Sequence, residues 1–286
     1  SHTTAAKDTY IKQNIRRRKE IADILEVFFK AGVNTVMGLI DFEPLADAIR
    51  EAEDRTGVKA LIVSTPLFPI DKSVAAKGLD ERQADAILDT QLQFGARFCF
   101  PHQCTTDALV DRCTREIRHI QPLLAKIRQR GMIPGLSTHM PETLIYADET
   151  GIDVETYISL YNAMGFLMQV EVDWVARVIR NARKPVMTIK PLAAGQIRPF
   201  QGLHFVWSTL RPQDMVTIGT LSPDEAREVI DLSLGILGGI RPISPSSKPA
   251  QNPPSPRRKK DEHHRPDPAL CRPRTSDRAL PLARHA

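Results

Sequence analysis

Several short apolar runs of this chain end in a residue that can hold or move a proton. His102, His139 and Lys190 each lie at the end of such a run. Histidine changes its charge near neutral pH, and lysine is a cation or, when it is buried, a base or a nucleophile. In folds that alternate strands and helices, the chemistry sits at the carboxyl ends of the strands. These three residues are therefore the predicted catalytic residues.

The last apolar run, at 215–218, is followed by a pattern typical of a helix N-terminus. Gly219 and Thr220 end the run, Ser222 is a good N-cap residue, Pro223 suits the first helical position, and Glu225 follows three residues after the cap. Free N–H groups and the helix dipole make such a terminus attractive to phosphate. The pattern predicts an anion site at Gly219, Thr220 and Ser222, with a plain N-cap as the alternative.

These polar residues must be positioned by the elements around them, and the chain alternates strand and helix patterns. A parallel sheet with helical crossovers is the structure that this alternation predicts. A (β/α)₈ TIM barrel needs eight strands, whereas a doubly wound sheet would tolerate seven. The predicted strands number seven, at 33–39, 58–64, 97–101, 132–136, 157–161, 186–189 and 215–218.

The start of the chain indicates which strand is missing. Residues 1–10 are polar and are predicted to form a loop, which leads into a helix that ends at Gly32. No strand precedes this helix, so the favoured fold is a TIM barrel that lacks its first strand. Apolar residues between Val110 and Ile127 have helical spacing, which predicts one helix that Pro122 kinks or splits in two.

The basic character of the chain is concentrated in its last 46 residues. Residues 241–286 contain 11 Lys and Arg against 4 Asp and Glu, and ten of the 22 prolines. This segment has no apolar periodicity, so we expect a disordered tail after a barrel domain of residues 1–240. Binding of an anionic partner is the alternative function of the tail. The barrel itself is slightly acidic and indicates no nucleic-acid partner.

Composition argues against a membrane-spanning protein and against a secreted protein held by disulfides. No apolar run approaches 18 residues, so no membrane span is expected. The four cysteines show no disulfide spacing, which favours a reducing, cytoplasmic compartment. Alternation along the apolar run at 97–101 places Cys99 in the core.

Three histidines could share one end of a barrel and bind a divalent metal. They are His2, His102 and His139, and no carboxylate or H-x-H spacing accompanies them.

Four stretches in the second half of the chain resemble motifs of the aldo-keto reductase superfamily. They are GMIPGLSTHMPETL at 131–144, the Tyr-Asn strand end at 161–162, MTIKPLAAG at 187–195 and TIGTLSPDEAREV at 217–229. The resemblance covers roughly residues 95–235. It implies a barrel that binds NADP(H) and reduces carbonyl compounds, with Ser137 and Asn162 as further contacts of the cofactor.

The catalytic set of that family is matched only in part. Its histidine corresponds to His102, but its tyrosine has no counterpart, and Asp41 lies only near the position of its aspartate. Thr65 stands where the family has its lysine, and Val229 where it has an asparagine. The resemblance therefore supports the fold more strongly than the activity.

The sequence predicts a divergent aldo-keto reductase-like enzyme that acts on a small molecule, with NAD(P)(H) as the expected cofactor. Two alternatives stay open. One is a metal-dependent hydrolase or lyase on a TIM barrel, and the other is a catalytically inactive barrel or gene fragment.

Overall fold

Parallel strands follow one another around this molecule in the order of the chain. The computed structural model describes residues 2–70 and 79–239 and contains two four-stranded sheets, β1-β2-β3-β6 and β7-β8-β9-β10, and one antiparallel pair, β4-β5. The strands are β1 (Thr35–Gly38), β2 (Leu61–Ser64), β3 (Phe98–Cys99), β4 (Val110–Asp111), β5 (Glu116–Ile117), β6 (Ile133–Pro134), β7 (Leu136–Ser137), β8 (Tyr157–Leu160), β9 (Val186–Ile189) and β10 (Met215–Val216).

The two parallel sheets are joined through one continuous segment. Only Gly135 separates β6, which pairs with β3, from β7, which pairs with β8. The described residues therefore provide seven strand positions in sequential order, which confirms the prediction of an α/β barrel without its first strand.

Helices connect these strands and cover the outside of the sheet. They are α1 (His2–Lys30), α2 (Glu43–Thr56), α3 (Glu81–Gln93), α4 (Gln103–Leu109), α5 (Ile120–Gln129), α6 (Glu142–Thr150), α7 (Val172–Asn181), α8 (Pro199–Thr209) and α9 (Pro223–Gly239), with a short 3₁₀ turn at Ala193–Gly195. One large cluster of buried apolar side chains packs the helices onto the sheet. Among the described residues, no helix has the length and apolar character needed to cross a membrane.

A second, smaller cluster fills the space enclosed by the strands. It consists of Val63, Phe100, Ile158 and Met187, which come from four different parts of the sheet. A Cβ atom added at Gly135 would lie 2.3–2.7 Å from the ring of Phe100. Glycine between β6 and β7 thus leaves room for a fully buried aromatic ring inside the barrel.

The prediction of one helix over 110–127 is wrong. The chain forms α4, then the β4-β5 hairpin, and only then α5, with Pro122 in the first turn of α5 rather than at a kink. Tertiary contacts override the helical spacing: Ile117 is buried under α6, and Arg115 forms a bidentate ion pair with Glu149 of that helix. Arg115 takes a left-handed conformation, with φ of 60°, that a continuous helix does not allow.

The prediction of a loop over residues 1–10 is also wrong, because α1 begins at His2. The segment contains neither glycine nor proline before Gly32, so nothing in it breaks a helix. An ion network holds α1 against α2, in which Arg55 binds Asp23 and Glu26 of α1 and Glu51 of its own helix. The predicted tail at 241–286 and the domain boundary at 240 lie outside the described residues.

The sheet ends at β1 on one side and at β10 on the other. Within the described residues, β1 pairs only with β2 and β10 pairs only with β9. A cavity of about 430 Å³, which we call the edge groove, is lined by residues of α1, β1 and β10. Each of these two outer strands therefore has one edge that no other described strand pairs.

Candidate functional site

His102 lies at the carboxyl end of β3, where it caps α4. Its backbone N–H donates to the carbonyl of Pro66 at 2.9 Å, and its ring Nδ1 accepts from the N–H of Cys104 at 3.2 Å. Because Nδ1 accepts, the neutral ring carries its proton on Nε2. Burial lowers the pKa of His102 below its ordinary value of 6.5, so the ring is neutral at pH 7 and offers Nε2–H as a donor.

His139 follows β7, and its backbone is held by a carboxylate of α4. Asp107 accepts from the backbone N–H of His139 at 3.1 Å and from the hydroxyl of Thr138. Burial lowers the pKa of His139, and the positive charge of Lys190 lowers it further, as does that of His102 when its ring is protonated. All three predicted catalytic residues therefore interact electrostatically at one end of the barrel, which we call the mouth.

Lys190 follows β9 in a left-handed conformation, with φ of 58°. A non-glycine residue in this region costs free energy, and such strain is often found at functional sites. The side chain is exposed, and its ammonium lies 6.0 Å from the centre of the Phe166 ring, within cation–π range. Lys190 is consequently an exposed cation of the mouth and not the buried amine that a base or nucleophile would need.

A close helix contact supports the backbone next to Lys190. A Cβ atom at Gly202 of α8 would lie 2.7 Å from the carbonyl oxygen of Pro191 and 2.8 Å from the Leu192 side chain. Glycine at this position lets α8 approach the turn directly. The turn that carries Lys190 is thus held by packing as well as by β9.

Of the predicted cofactor contacts, Asn162 has its amide committed to its own loop. The Oδ1 atom accepts from the N–H groups of Met164 and Phe166, and Nδ2 donates to the Phe166 carbonyl at 3.1 Å. The side chain is fully buried. Asn162 therefore positions Phe166, the ring beside Lys190. Ser137 is also buried, at the end of β7.

The predicted helix N-terminus is confirmed, and its own side chains occupy it. The hydroxyl of Ser222 accepts from the N–H of Glu225 at 3.2 Å, and the Glu225 carboxylate accepts from the N–H of Leu221 at 2.7 Å. Asp224 adds a second acidic residue to the first turn of α9. Phosphate would meet two carboxylates here, although the Thr220 hydroxyl is buried without a hydrogen-bond partner in the described part of the chain. Gly219 precedes Thr220 and is exposed.

An NADP(H) cofactor therefore does not fit this arrangement well. The buried amide of Asn162 already accepts two hydrogen bonds and donates one within its own loop, which leaves a single N–H for a carboxamide. The start of α9 carries negative charge where a phosphate is expected.

The metal alternative needs His2 beside His102 and His139. His2 is the first residue of α1 and not a loop residue, and the described residues contain no group of three potential metal ligands. Cys99 is confirmed as a core residue, since it is fully buried, and burial raises the pKa of its thiol to about 12.

Residues that complete the mouth without any motif were missed by sequence reasoning. Asp107 links α4 to the end of β7, and Phe166 lies beside Lys190. Both act through contacts between distant parts of the chain, so the spacing of residues in the sequence does not predict them. Of the positions where the chain departs from the reductase pattern, Asp41 is exposed and Thr65 is buried.

No protein-family model matches this chain, and no curated protein matches it. Two solved structures with a similar fold come from Pseudomonas aeruginosa, and both are described as proposed aldo-keto reductases. The first has a TM-score of 0.55 and 18% identity and covers 77% of this chain and 82% of its own. The second has a TM-score of 0.54 and 16% identity, with 77% and 84% covered. At these identities the likeness shows a shared fold.

Proposed function

We propose that the mouth of this barrel binds a small carbonyl compound and polarises its carbonyl group. The observation that carries the proposal is the grouping of His102, His139 and Lys190, in which both imidazoles have a lowered pKa. Perturbed titratable groups at strand ends of a barrel are typical of functional sites, although structural groups also show such shifts.

Each residue has a distinct role in this proposal. The Nε2–H of His102 donates to the carbonyl oxygen, because its Nδ1 is fixed as an acceptor by Cys104. The ammonium of Lys190 stabilises the negative charge that develops on the same oxygen. His139 supplies the proton that the oxygen takes up once hydride has reached the carbonyl carbon, because its lowered pKa makes its protonated form a stronger acid, and solvent then reprotonates the ring.

Carbonyl reduction is the reaction that we propose, by analogy of fold with the aldo-keto reductases. NAD(P)H is the reductant that this analogy implies, and it would supply the hydride. Because Asn162 and the start of α9 fit the nucleotide poorly, we route no step of the mechanism through it. The alternative of an inactive barrel that only binds a ligand is an outcome of the same experiment.

The test combines a titration with a screen. NADPH and NADH are each titrated while tryptophan fluorescence is followed, and a panel of aldehydes and ketones is screened with each nucleotide, with and without a chelator. On any substrate found, we expect His102→Gln to lower kcat/KM by about a hundredfold, as removal of one oxyanion donor does.

The matched control is His204→Gln, which changes an exposed histidine of α8 and should leave kcat/KM within about twofold. Equal loss of activity in both variants would contradict the site assignment. Activity that vanishes with the chelator and returns with zinc would favour the metal-dependent hydrolase or lyase over the reductase.

A further inference from the structure

The edge groove combines two features that a β-strand recognises: apolar walls and backbone groups that no strand in the described part of the chain pairs. Its walls include Phe28 of α1, Val36 and Met37 of β1, and Met187 and Val216 from β9 and β10. These side chains are apolar, and a strand buried on both faces in a parallel sheet is itself a continuous apolar run.

Hydrogen bonds to β2 show which backbone groups of β1 face the groove. The carbonyl of Asn34 accepts from Leu61 at 2.9 Å, and that of Gly38 accepts from Thr65 at 3.0 Å. Since successive residues of a parallel strand bond to opposite sides, the N–H and C=O groups of Thr35 and Met37 point away from β2. They point towards the groove.

The same alternation applies on the opposite wall. The N–H of Thr217 donates to the carbonyl of Thr188 in β9 at 2.8 Å. The backbone groups of Val216 therefore point away from β9 and into the groove. Two strand edges thus face each other across one cavity, each with donors and acceptors that β2 and β9 do not use.

Charge in the groove also restricts its occupant. Asp214 is the carboxylate among the residues that line it, and it is committed to Arg211 in an ion pair at 2.7 Å and to the N–H of Val186 at 2.9 Å. A charged partner would find no free counter-charge there and would pay the cost of desolvation. An uncharged occupant matches this lining.

We propose that the edge groove binds one extended, apolar peptide strand, supplied by a separate polypeptide, in parallel register between β10 and β1. An added strand would satisfy both edges through main-chain hydrogen bonds, the recognition mode known as β-augmentation. It would also bring the sheet from seven strand positions in the described residues to the eight of a closed barrel. β1 has four residues, so the matching segment is about 13 Å long at 3.3 Å per residue.

Tryptophan fluorescence gives a direct readout of this binding. The chain has two tryptophans, of which Trp207 lines the groove and Trp174 lies on α7. The full chain with Trp174→Phe therefore reports from Trp207 alone. The probe is a synthetic peptide, acetylated and amidated, with the sequence of residues 60–65, Ala-Leu-Ile-Val-Ser-Thr, which spans the apolar strand β2 and carries no charge.

We expect saturable quenching or enhancement of Trp207 fluorescence and a rise in melting temperature as the peptide is added, because binding to the folded state stabilises it. The control peptide has the same side chains but N-methylated amides at alternate residues, which removes donors towards one wall. It should bind at least about tenfold more weakly if main-chain hydrogen bonds carry recognition.

A pair of protein variants tests the same binding by changing the groove instead of the peptide. Met215→Glu places a charge on an exposed residue that lines the groove, and Phe200→Glu places the same charge on an exposed residue of α8 outside it. The first should weaken peptide binding about tenfold and the second should leave it unchanged. Equal affinity for the methylated peptide, or no response to the parent peptide, would overturn the proposal. A concentration-dependent dimer whose formation is blocked by Met215→Glu would overturn it in favour of a second copy as the occupant.

Discussion

The mouth and the edge groove differ in whether their polar groups have hydrogen-bond partners among the described residues. At the mouth, His102, His139 and Asn162 are each held by hydrogen bonds within a few residues or to an adjacent helix. Along the groove, β1 and β10 direct towards an apolar cavity backbone donors and acceptors that no other described strand pairs. The comparison teaches that the mouth is held by contacts within the described residues, whereas the outer edges of β1 and β10 have no strand partner among them.

The largest loss in the free energy of unfolding is expected from a substitution in the barrel interior, beneath the mouth. Gly135→Ala puts a methyl group within 2.3–2.7 Å of the buried Phe100 ring, and overpacking of this kind costs about 3 kcal/mol. Urea unfolding measures the loss. Gly219→Ala is the matched control, because no atom lies within 4 Å of its added Cβ, and it should cost less than about 0.5 kcal/mol.

A double substitution sharpens this result. Gly135→Ala combined with Phe100→Leu should be more stable than the sum of the two single effects predicts, since the smaller side chain removes the clash. Strict additivity would show that Phe100 and Gly135 do not share the interior.

The next effect tests the bonds that hold the mouth. Asp107→Ala removes the acceptor for the Thr138 hydroxyl and for the His139 N–H, and hydrogen bonds to a charged group are worth about 2 kcal/mol. Thermal and urea unfolding should both show the loss. Asp54→Ala, at an exposed position of α2, should stay within about 0.5 kcal/mol of the parent chain. Similar values for the two variants would mean that Asp107 does not hold the mouth.

A smaller effect on the free energy of unfolding is expected when the pH is lowered. The folded state lowers the pKa of His102 and His139, so the unfolded chain binds their protons first as the pH falls. Their cost to stability is absent well above pH 6.5 and appears as the pH falls through that value. The free energy of unfolding should therefore decrease between pH 8 and pH 5.5.

This window separates the histidines from the carboxylates. Asp85, Asp153 and Glu155 also have lowered pKa values, but their ordinary values of 3.8 and 4.5 lie below it. The double variant His102→Gln, His139→Gln should flatten the slope between pH 8 and pH 5.5. A slope that persists in the double variant would assign it to other groups.

The smallest effect is expected in the groove when no peptide is present. Met215→Glu should change the free energy of unfolding by less than about 0.5 kcal/mol, because the side chain is already 37% exposed. A loss of more than about 2 kcal/mol would show that the edge is packed and is not open to a partner.

Local patterns allowed much of the fold to be predicted. The apolar run at Val186–Ile189 is β9, and the cap at Ser222 forms as its side chains predict. The helical spacing over 110–127 misled because Ile117 meets α6, a partner distant in sequence. The spacing of apolar residues indicates which residues are buried but does not indicate which element they pack against.

The sequence indicated the titratable side chains of the candidate site and did not indicate the groups that hold them in place. Strand ends located His102, His139 and Lys190, and the structure brings them to one mouth. The hydrogen bonds of the Asn162 amide within its own loop and the contacts of the Asp107 carboxylate could not be foreseen, since both depend on where their partners' backbones lie. The left-handed turn at Lys190 likewise follows from packing beside α8.

The central claim is that His102, His139 and Lys190 share one mouth, and NMR titration of the histidine rings tests it without any substrate. In the parent chain both rings should titrate below 6.5, with His102 unprotonated at Nδ1 in its neutral form. Lys190→Met removes a positive charge near His139, so the pKa of His139 should rise towards its ordinary value. An unchanged pKa of His139 in this variant would contradict the claim.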